Sequence, residues 1–331
     1  MQNFSNTPIY ILGSGAVGLA LAASLIEAGR NVTLVRTSHS GISRKWVDIT
    51  VNEMEKRPST YAVETASLDQ LHTLTGIIAV TAKAFANDAI AAQLKYKAGH
   101  DNPIVLMQNG LDIEEPFIEA GFSEVYRCVL YVTSQKKGPF KAQFRSVKSS
   151  PIGVMAGNGA DLQSVVDMLH TTAFHFHTAE NILLAIWQKV IFNAVFNTIC
   201  PMLDTDNGIF VRDAEVAGLA GEIIKECCQV AAAFGLRIDP VQISSQLLVL
   251  SKGSYGQNCS TLEDINNGRE TEIGVLNQAI VRAAEHRAPT VDVSTTKLMG
   301  ELTLLKAKQA LLKNPNNIRM LPNALPSEEL I

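Results

Sequence analysis

A chain of 331 residues exceeds the roughly 250 to 300 at which one hydrophobic core stops growing, so two domains are expected. Its 47% hydrophobic and 18% charged residues, against a typical charged share of about 25%, exclude disorder for most of its length. The formal net charge of -4 offers no basic field for nucleic acid or an anionic membrane, so any anion must be held by a local site and a small molecule is the expected partner.

The chain opens on a polar lead, MQNFSNTP, with no basic leader or cleavage site. Its apolar runs are read as falling short of the roughly 20 residues of a membrane span, and a cytoplasmic protein is expected. Five cysteines, Cys128, Cys200, Cys227, Cys228 and Cys259, are odd in number and lack metal-ligand spacing, which fits reduced thiols packed as small hydrophobes.

In chain order, IYILG at 9–13 reads as a buried strand, 16–28 as a helix and NVTLVR at 31–36 as a second strand. GIIAVTAK at 76–83 and PIVLMQNG at 103–110 repeat the strand pattern, with a helix at 85–96 between them. Alternation of this kind implies crossover connections and a mainly parallel, doubly wound α/β sheet of Rossmann type. Strand-rich segments between 126 and 156 suggest antiparallel strands appended to it. From residue 180 the pattern is helical, at roughly 180–200, 212–235, 239–251, 271–287 and 292–311. The expected domains are therefore 1–178, a nucleotide-binding sheet domain, and 179–311, an all-helical substrate domain, with 312–331 a Pro- and Asn-rich extension.

Gly13, Ser14, Gly15, Ala16, Val17 and Gly18 follow the first strand and open a helix. Gly13 would make the tight turn, Gly15 would let backbone approach a pyrophosphate, and Gly18 would let helix pack on strand. The helix N-terminus would supply amides and partial positive charge to the anion. After the second strand, Arg36 is followed by Thr37 and Ser38, with no carboxylate to take a ribose 2′-hydroxyl. A guanidinium beside hydroxyls suits a 2′-phosphate, so NADP(H) is expected over NAD(H); a solvated strand-end charge is the alternative.

In WQKVIFNAVFNTICP, Lys189, Asn193 and Asn197 recur every four residues through an apolar segment. Each step of four advances about 40° around a helix, which places all three along one narrow face. The stripe faces either solvent or a shared wet cavity; asparagine is a weak helix former and a poor choice for a merely solvated face. Further on, NCSTLEDINNGRETEI places Ser260 ahead of a loop-like stretch and starts a helix near Thr271 with Glu272 in its first turn. Locally, Glu272 is accounted for by the preference of acids for helix N-termini. His175 and His177 share one side of a strand without a third ligand nearby, and no metal site is expected.

Taken in order, GSGAVG, TAKAF, QNG, WQKVIFNAVFN, DNG and CSTLEDINNGRETEI resemble the ketopantoate reductase family over roughly residues 8 to 305. The resemblance implies NADPH-dependent reduction of 2-dehydropantoate to pantoate, with the site in a cleft between the two domains. It implies Lys189 as general acid and Glu272 as the carboxylate organising substrate and lysine. Asn193, Asn197 and Ser260 would hold substrate, and Asn109 would face both cofactor and substrate, with Lys83 near the nicotinamide. Thr261 and Glu263 stand where the family commonly has an apolar residue and glutamine, which bears on the substrate. Two rivals remain: a reductase of another branched 2-oxo acid, and a nucleotide-binding regulatory protein without chemistry. The helical domain has apolar surface enough for a homodimer.

Overall fold

The computed structural model describes residues 7–37, 40–54 and 56–314. The chain divides into two compact units, Met1–Ile186 and Trp187–Ile331. The division falls inside one helix, a few residues beyond the expected change of class near 178.

The first unit is built on an 11-stranded sheet. Its first half contains β1 (Ile9–Leu12), α1 (Ala16–Glu27), β2 (Val32–Arg36), β3 (Lys45–Glu53), β4 (Ser59–Ser67), β5 (Ile77–Val80), α2 (Asn87–Leu94) and β6 (Ile104–Leu106). Then come α3 (Glu115–Glu119), β7 (Val125–Cys128), β8 (Val132–Gly138), β9 (Lys141–Ser146), β10 (Ser150–Ala156), α4 (Leu162–Leu169) and β11 (Phe176–Thr178). The strand order is β11-β10-β7-β6-β5-β1-β2-β4-β3-β9-β8. Strands β7, β6, β5, β1, β2 and β4 run parallel, as buried apolar runs joined by crossovers must. From β1 the chain first builds outward through β2, then returns to add β5 on the other side of β1. Ligands of doubly wound sheets sit at the carboxyl ends of strands flanking such a reversal.

Two features depart from the sequence reading. Residues 45–67, for which the sequence pattern predicts no element, form the antiparallel pair β3 and β4. The strands expected after 126 as one appended group divide between opposite edges of the sheet. β7 and β10 pair antiparallel on one side, while the β8–β9 hairpin crosses to the other, where β9 runs parallel to β3. The physical reason is burial: alternation in KAQFRS turns Ala142 and Phe144 into the core that includes α1. There the ring of Phe144 stacks on Phe174, just before β11, at 5.2 Å.

The helical unit takes most of α5 (Ile182–Leu203), then α6 (Ile209–Arg212), α7 (Ala214–Ala232), α8 (Pro240–Gly253) and α9 (Ser260–Asn266). A 3-10 turn at Ile273–Val275 precedes α10 (Asn277–Arg287) and α11 (Ser294–Lys313). Capping signals are explicit: Asp213 accepts from the amides of Glu215 and Val216 at 2.9 and 3.1 Å, and Asp239 accepts from Val241 at 2.9 Å ahead of Pro240. Contrary to the sequence reading, α5 has the length and composition to cross a membrane, with 22 residues and a mean hydropathy of 1.5 over an 18-residue stretch, but 56% of that stretch is buried within the protein. The extension expected at 312–331 is helical to Lys313, and residues 315–331 lie outside the described residues.

At the start of α11 Asp292 takes the Ser294 amide at 2.9 Å, and the next two amides are capped from another helix. Glu226 of α7 accepts from the amides of Thr295 and Thr296 at 3.0 and 2.8 Å and from the Thr296 hydroxyl at 2.7 Å. Replacing Glu226 by alanine is expected to cost about 1–3 kcal/mol, read as a lower midpoint in thermal or urea unfolding. An unchanged midpoint would show that this cap contributes nothing to stability.

Candidate active site

The first strand ends in a turn that only glycine can make. Gly13 has φ +125, and a Cβ there would run into the backbone of Thr81 and Ala82. A Cβ on Gly18 would collide with the Gly13 carbonyl and the Thr81 hydroxyl, so the close approach of α1 to the loops after β1 and β5 requires both. Gly15 differs: it is exposed, and a Cβ there would meet open space. It precedes α1, which has no side-chain cap and no acid in its first turn; the amide of Leu19 is the first to reach back, to the Gly15 carbonyl at 3.0 Å. Ser14, Ala16 and Val17, all half-buried, complete a surface of backbone donors. The residues present thus fit a dinucleotide pyrophosphate.

Arg36 closes β2 half-buried, its guanidinium 6.0 Å from the ring centre of Phe140. That ring comes from the β8–β9 hairpin, where Phe140 has φ +54. Of the hydroxyl residues expected beside Arg36, Thr37 is half-buried, and Ser38 lies outside the described residues.

Lys83 and Asn109 stand on neighbouring loops, after β5 and β6, and both are half-buried. The amides of Thr81 and Ala82 both donate to the Leu12 carbonyl at 2.8 Å, and the Thr81 hydroxyl donates to the Gly13 carbonyl at 3.0 Å. Four residues that the sequence reading did not single out hold these loops. Gln108 Nε2 donates to the Ala82 carbonyl at 2.8 Å and to Asn87 Oδ1 at 2.6 Å. Asn87 Nδ2 returns a bond to Gln108 at 3.1 Å and reaches the Ile113 carbonyl at 2.8 Å. Arg127 donates to Glu114 at 2.5 Å and to the Gly110 carbonyl at 2.7 Å. The signal in the sequence was a charge inside an otherwise apolar strand, VYRC.

In the helical unit the polar stripe lies on α5, as its spacing predicts. Val190, Ile191, Ala194 and Val195 around it are buried. Lys189 and Asn193 are half-buried and Asn197 is 3% exposed, so this is no freely solvated face. Asn197 meets Ser260: its Oδ1 accepts from the Ser260 hydroxyl and from the Thr261 amide, each at 3.2 Å. Ser260 is not ahead of a loop but is the first residue of α9, exposed, with Cys259 as N-cap, its sulfur accepting from the Leu262 amide at 3.4 Å. The Cys259 thiol pKa is lowered by the hydrogen bond from Cys200, with burial opposing and the Leu262 amide assisting.

The helix expected from Thr271 starts later, at Asn277. Glu272, 9% exposed, instead leads into the 3-10 turn. Asp264 and Arg269 serve the fold itself. Arg269 Nε donates to Asp264 at 3.0 Å and its amide to the Asp264 carbonyl at 2.8 Å, closing the end of α9. Behind the stripe, Asn277 donates to the Ala194 carbonyl at 3.2 Å, which ties α10 to α5. Among the described residues, no group of three His, Cys, Asp or Glu is arranged to hold a metal ion.

Two family models match the chain. One, ketopantoate reductase PanE/ApbA, covers residues 9–157, and its C-terminal counterpart covers residues 181–308. A 2-dehydropantoate 2-reductase of Pyrococcus abyssi is 26% identical over 92% of this chain and 98% of its own. One from Streptococcus pyogenes is 25% identical with the same coverage. Among solved structures, a dimeric ketopantoate reductase from Staphylococcus aureus superposes with TM-score 0.77 at 21% identity, over 92% of this chain and 99% of that one. D-mandelate dehydrogenase, solved with NADH and anilino(oxo)acetate, superposes with TM-score 0.78 at 18% identity, also over 92% and 99%. At these identities the two structures speak to the fold alone.

The double acceptor role of Asn197 can be separated from any contact with ligand. Asn197→Ala strips the Thr261 amide of its partner and is expected to lower stability by about 1–3 kcal/mol, whereas Asn197→Asp keeps an acceptor oxygen and should melt within about 1 kcal/mol of the parent. Equal losses in chemical denaturation would contradict this.

Proposed function

The chain belongs to the ketopantoate reductase family, and on that premise we propose that it reduces 2-dehydropantoate to pantoate with NADPH. The observation that carries the reading is the polar stripe of α5. A lysine and two asparagines line one face of an apolar helix, and the last of them is bonded to Ser260 on α9.

In this reading the turn at Gly13 and the first amides of α1 hold the pyrophosphate, and Arg36 holds the ribose 2′-phosphate. Lys83 and Asn109 orient the nicotinamide end, Asn109 reaching substrate as well. A bound reduced nicotinamide supplies hydride to the 2-oxo carbon. Lys189 stabilises the charge that grows on the ketone oxygen and passes it a proton from Nζ. Glu272 orients that ammonium and the reacting oxygen. Asn193 and the Asn197 amide nitrogen donate to the substrate's carboxylate, and the Ser260 oxygen, whose proton goes to Asn197, accepts from a substrate hydroxyl, none of them competing as acids. Because Asn197 spends its oxygen on α9, its part is to donate to the ligand and to hold Ser260 in place.

A homodimer and a cytoplasmic location complete the reading. Leu298, Leu302, Leu305 and Leu312 stand exposed at helical spacing on α11, and the five cysteines are buried thiols rather than disulfides. A second reading, reduction of another 2-oxo acid, draws on Thr261 and Glu263 beside Ser260.

Oxidation of NADPH and NADH, followed spectrophotometrically against a panel of 2-oxo acids, tests the reading. The expected result is the highest kcat/KM for 2-dehydropantoate and a preference for NADPH of about tenfold or more, the worth of one charge-assisted contact. Faster turnover of another acid would favour the second reading, and a preference for NADH would overturn the assignment of Arg36.

A further inference from the structure

A strand buried on both faces should not carry a guanidinium without a reason. Arg127 in β7 is 2% exposed, and its partner Glu114 is 7% exposed. Charges sealed in this way add little net stability, because desolvation offsets their attraction; an apolar pair of similar volume would serve the core as well. What an apolar pair cannot do is reach Gly110, whose carbonyl accepts from the second arm of the Arg127 fork at 2.7 Å. Gly110 has φ +117, so the chain turns there as few other residues could, immediately after Asn109.

The residue on the other side of Asn109 is held just as firmly. Gln108 is buried, and its amide nitrogen donates to the carbonyl of Ala82, which immediately precedes Lys83. Asn87 completes this clamp with the reciprocal amide contact and its bond to Ile113. Both loops are thereby tied to each other and to β7 by buried polar side chains. The hydrogen bonds run on through Thr81 and Ala82 to the carbonyls of Leu12 and Gly13.

We propose that Arg127 with Glu114, and Gln108 with Asn87, are positioning residues that fix the backbone on both sides of Asn109 and just before Lys83, so that these two side chains meet cofactor and substrate in one orientation. The inference rests on the roles given above to Asn109 and Lys83. Its physical content is that turnover depends on the placement of contacting groups to within a fraction of an ångström, while affinity for the phosphates does not. A guanidinium is required because its planar fork serves two acceptors at once, which a lysine ammonium does not reproduce.

The test separates positioning from folding. Arg127→Met combined with Glu114→Leu removes the first clamp without stranding a buried charge, so its melting temperature should stay within about 5 °C of the parent. Affinity for NADP+, measured by fluorescence quenching, should stay within about threefold, and kcat at saturating NADPH and 2-dehydropantoate should fall by about tenfold or more. Arg127→Lys keeps the charge opposite Glu114 but not the fork, and should lose kcat to a similar degree. Parent-like kcat in the folded double variant, or in Arg127→Lys should the double variant not fold, would overturn the proposal. Asn109→Ala and Lys83→Ala run alongside as references. If they lower kcat and the clamp variants do not, positioning alone fails; if they too leave kcat unchanged, the roles of Asn109 and Lys83 fail first.

Discussion

The turn at Gly13 is the constraint on which the sheet unit depends. A positive φ lets β1 end directly against the start of the loop after β5, and the Leu12 carbonyl then takes two amides from that loop. Neither Gly13 nor Gly18 has room for a Cβ, and most of the atoms in the way are backbone, which cannot move aside as a flexible side chain could. The same contacts bring α1 down onto the sheet with its first amides uncapped, over a glycine whose outer side is open. One close approach thus couples the end of β1, the loop after β5 and the packing of α1. From there, hydrogen bonds extend outward through Ala82 and Gln108 to Asn109, and through Gly110 to the buried pair Arg127 and Glu114.

The helical unit meets a different constraint. Its long first helix is apolar enough to need burial, yet carries amides that are costly to bury unless bonded. Asn197 answers this by accepting from Ser260 and from the Thr261 amide, which turns a buried polar group into the joint between α5 and α9. Asn277 does the same between α10 and α5. Packing and chemistry are coupled here: the groups assigned to substrate also set the spacing of the helices that present them.

Much of this was legible in the sequence, for identifiable reasons. GSGAVG after a buried strand specifies its own geometry, and four-residue spacing places Lys189, Asn193 and Asn197 on one face whatever surrounds them. The crossing of β9 to the far edge was not legible, because the pairing of KAQFRS with β3 depends on partners distant in the chain. The late start of α10 was hidden by GRETEI, whose acid and threonine imitate a helix N-terminus, while the cap that α9 uses is a thiol, Cys259, which helix-start patterns do not include. Gln108 is legible only as part of QNG, and the lone charge in VYRC marks Arg127 without showing its task, which, like that of Gln108, lies with a backbone carbonyl, that of Gly110 for the one and of Ala82 for the other.

The central claim is that this family member does its chemistry with the α5 lysine. The most direct measurement is turnover of Lys189→Ala with NADPH and 2-dehydropantoate, paired with NADPH binding by the same variant. Loss of kcat by about a hundredfold or more, with NADPH affinity kept within about threefold, is the result expected of a general acid. Turnover equal to that of the parent would contradict the account.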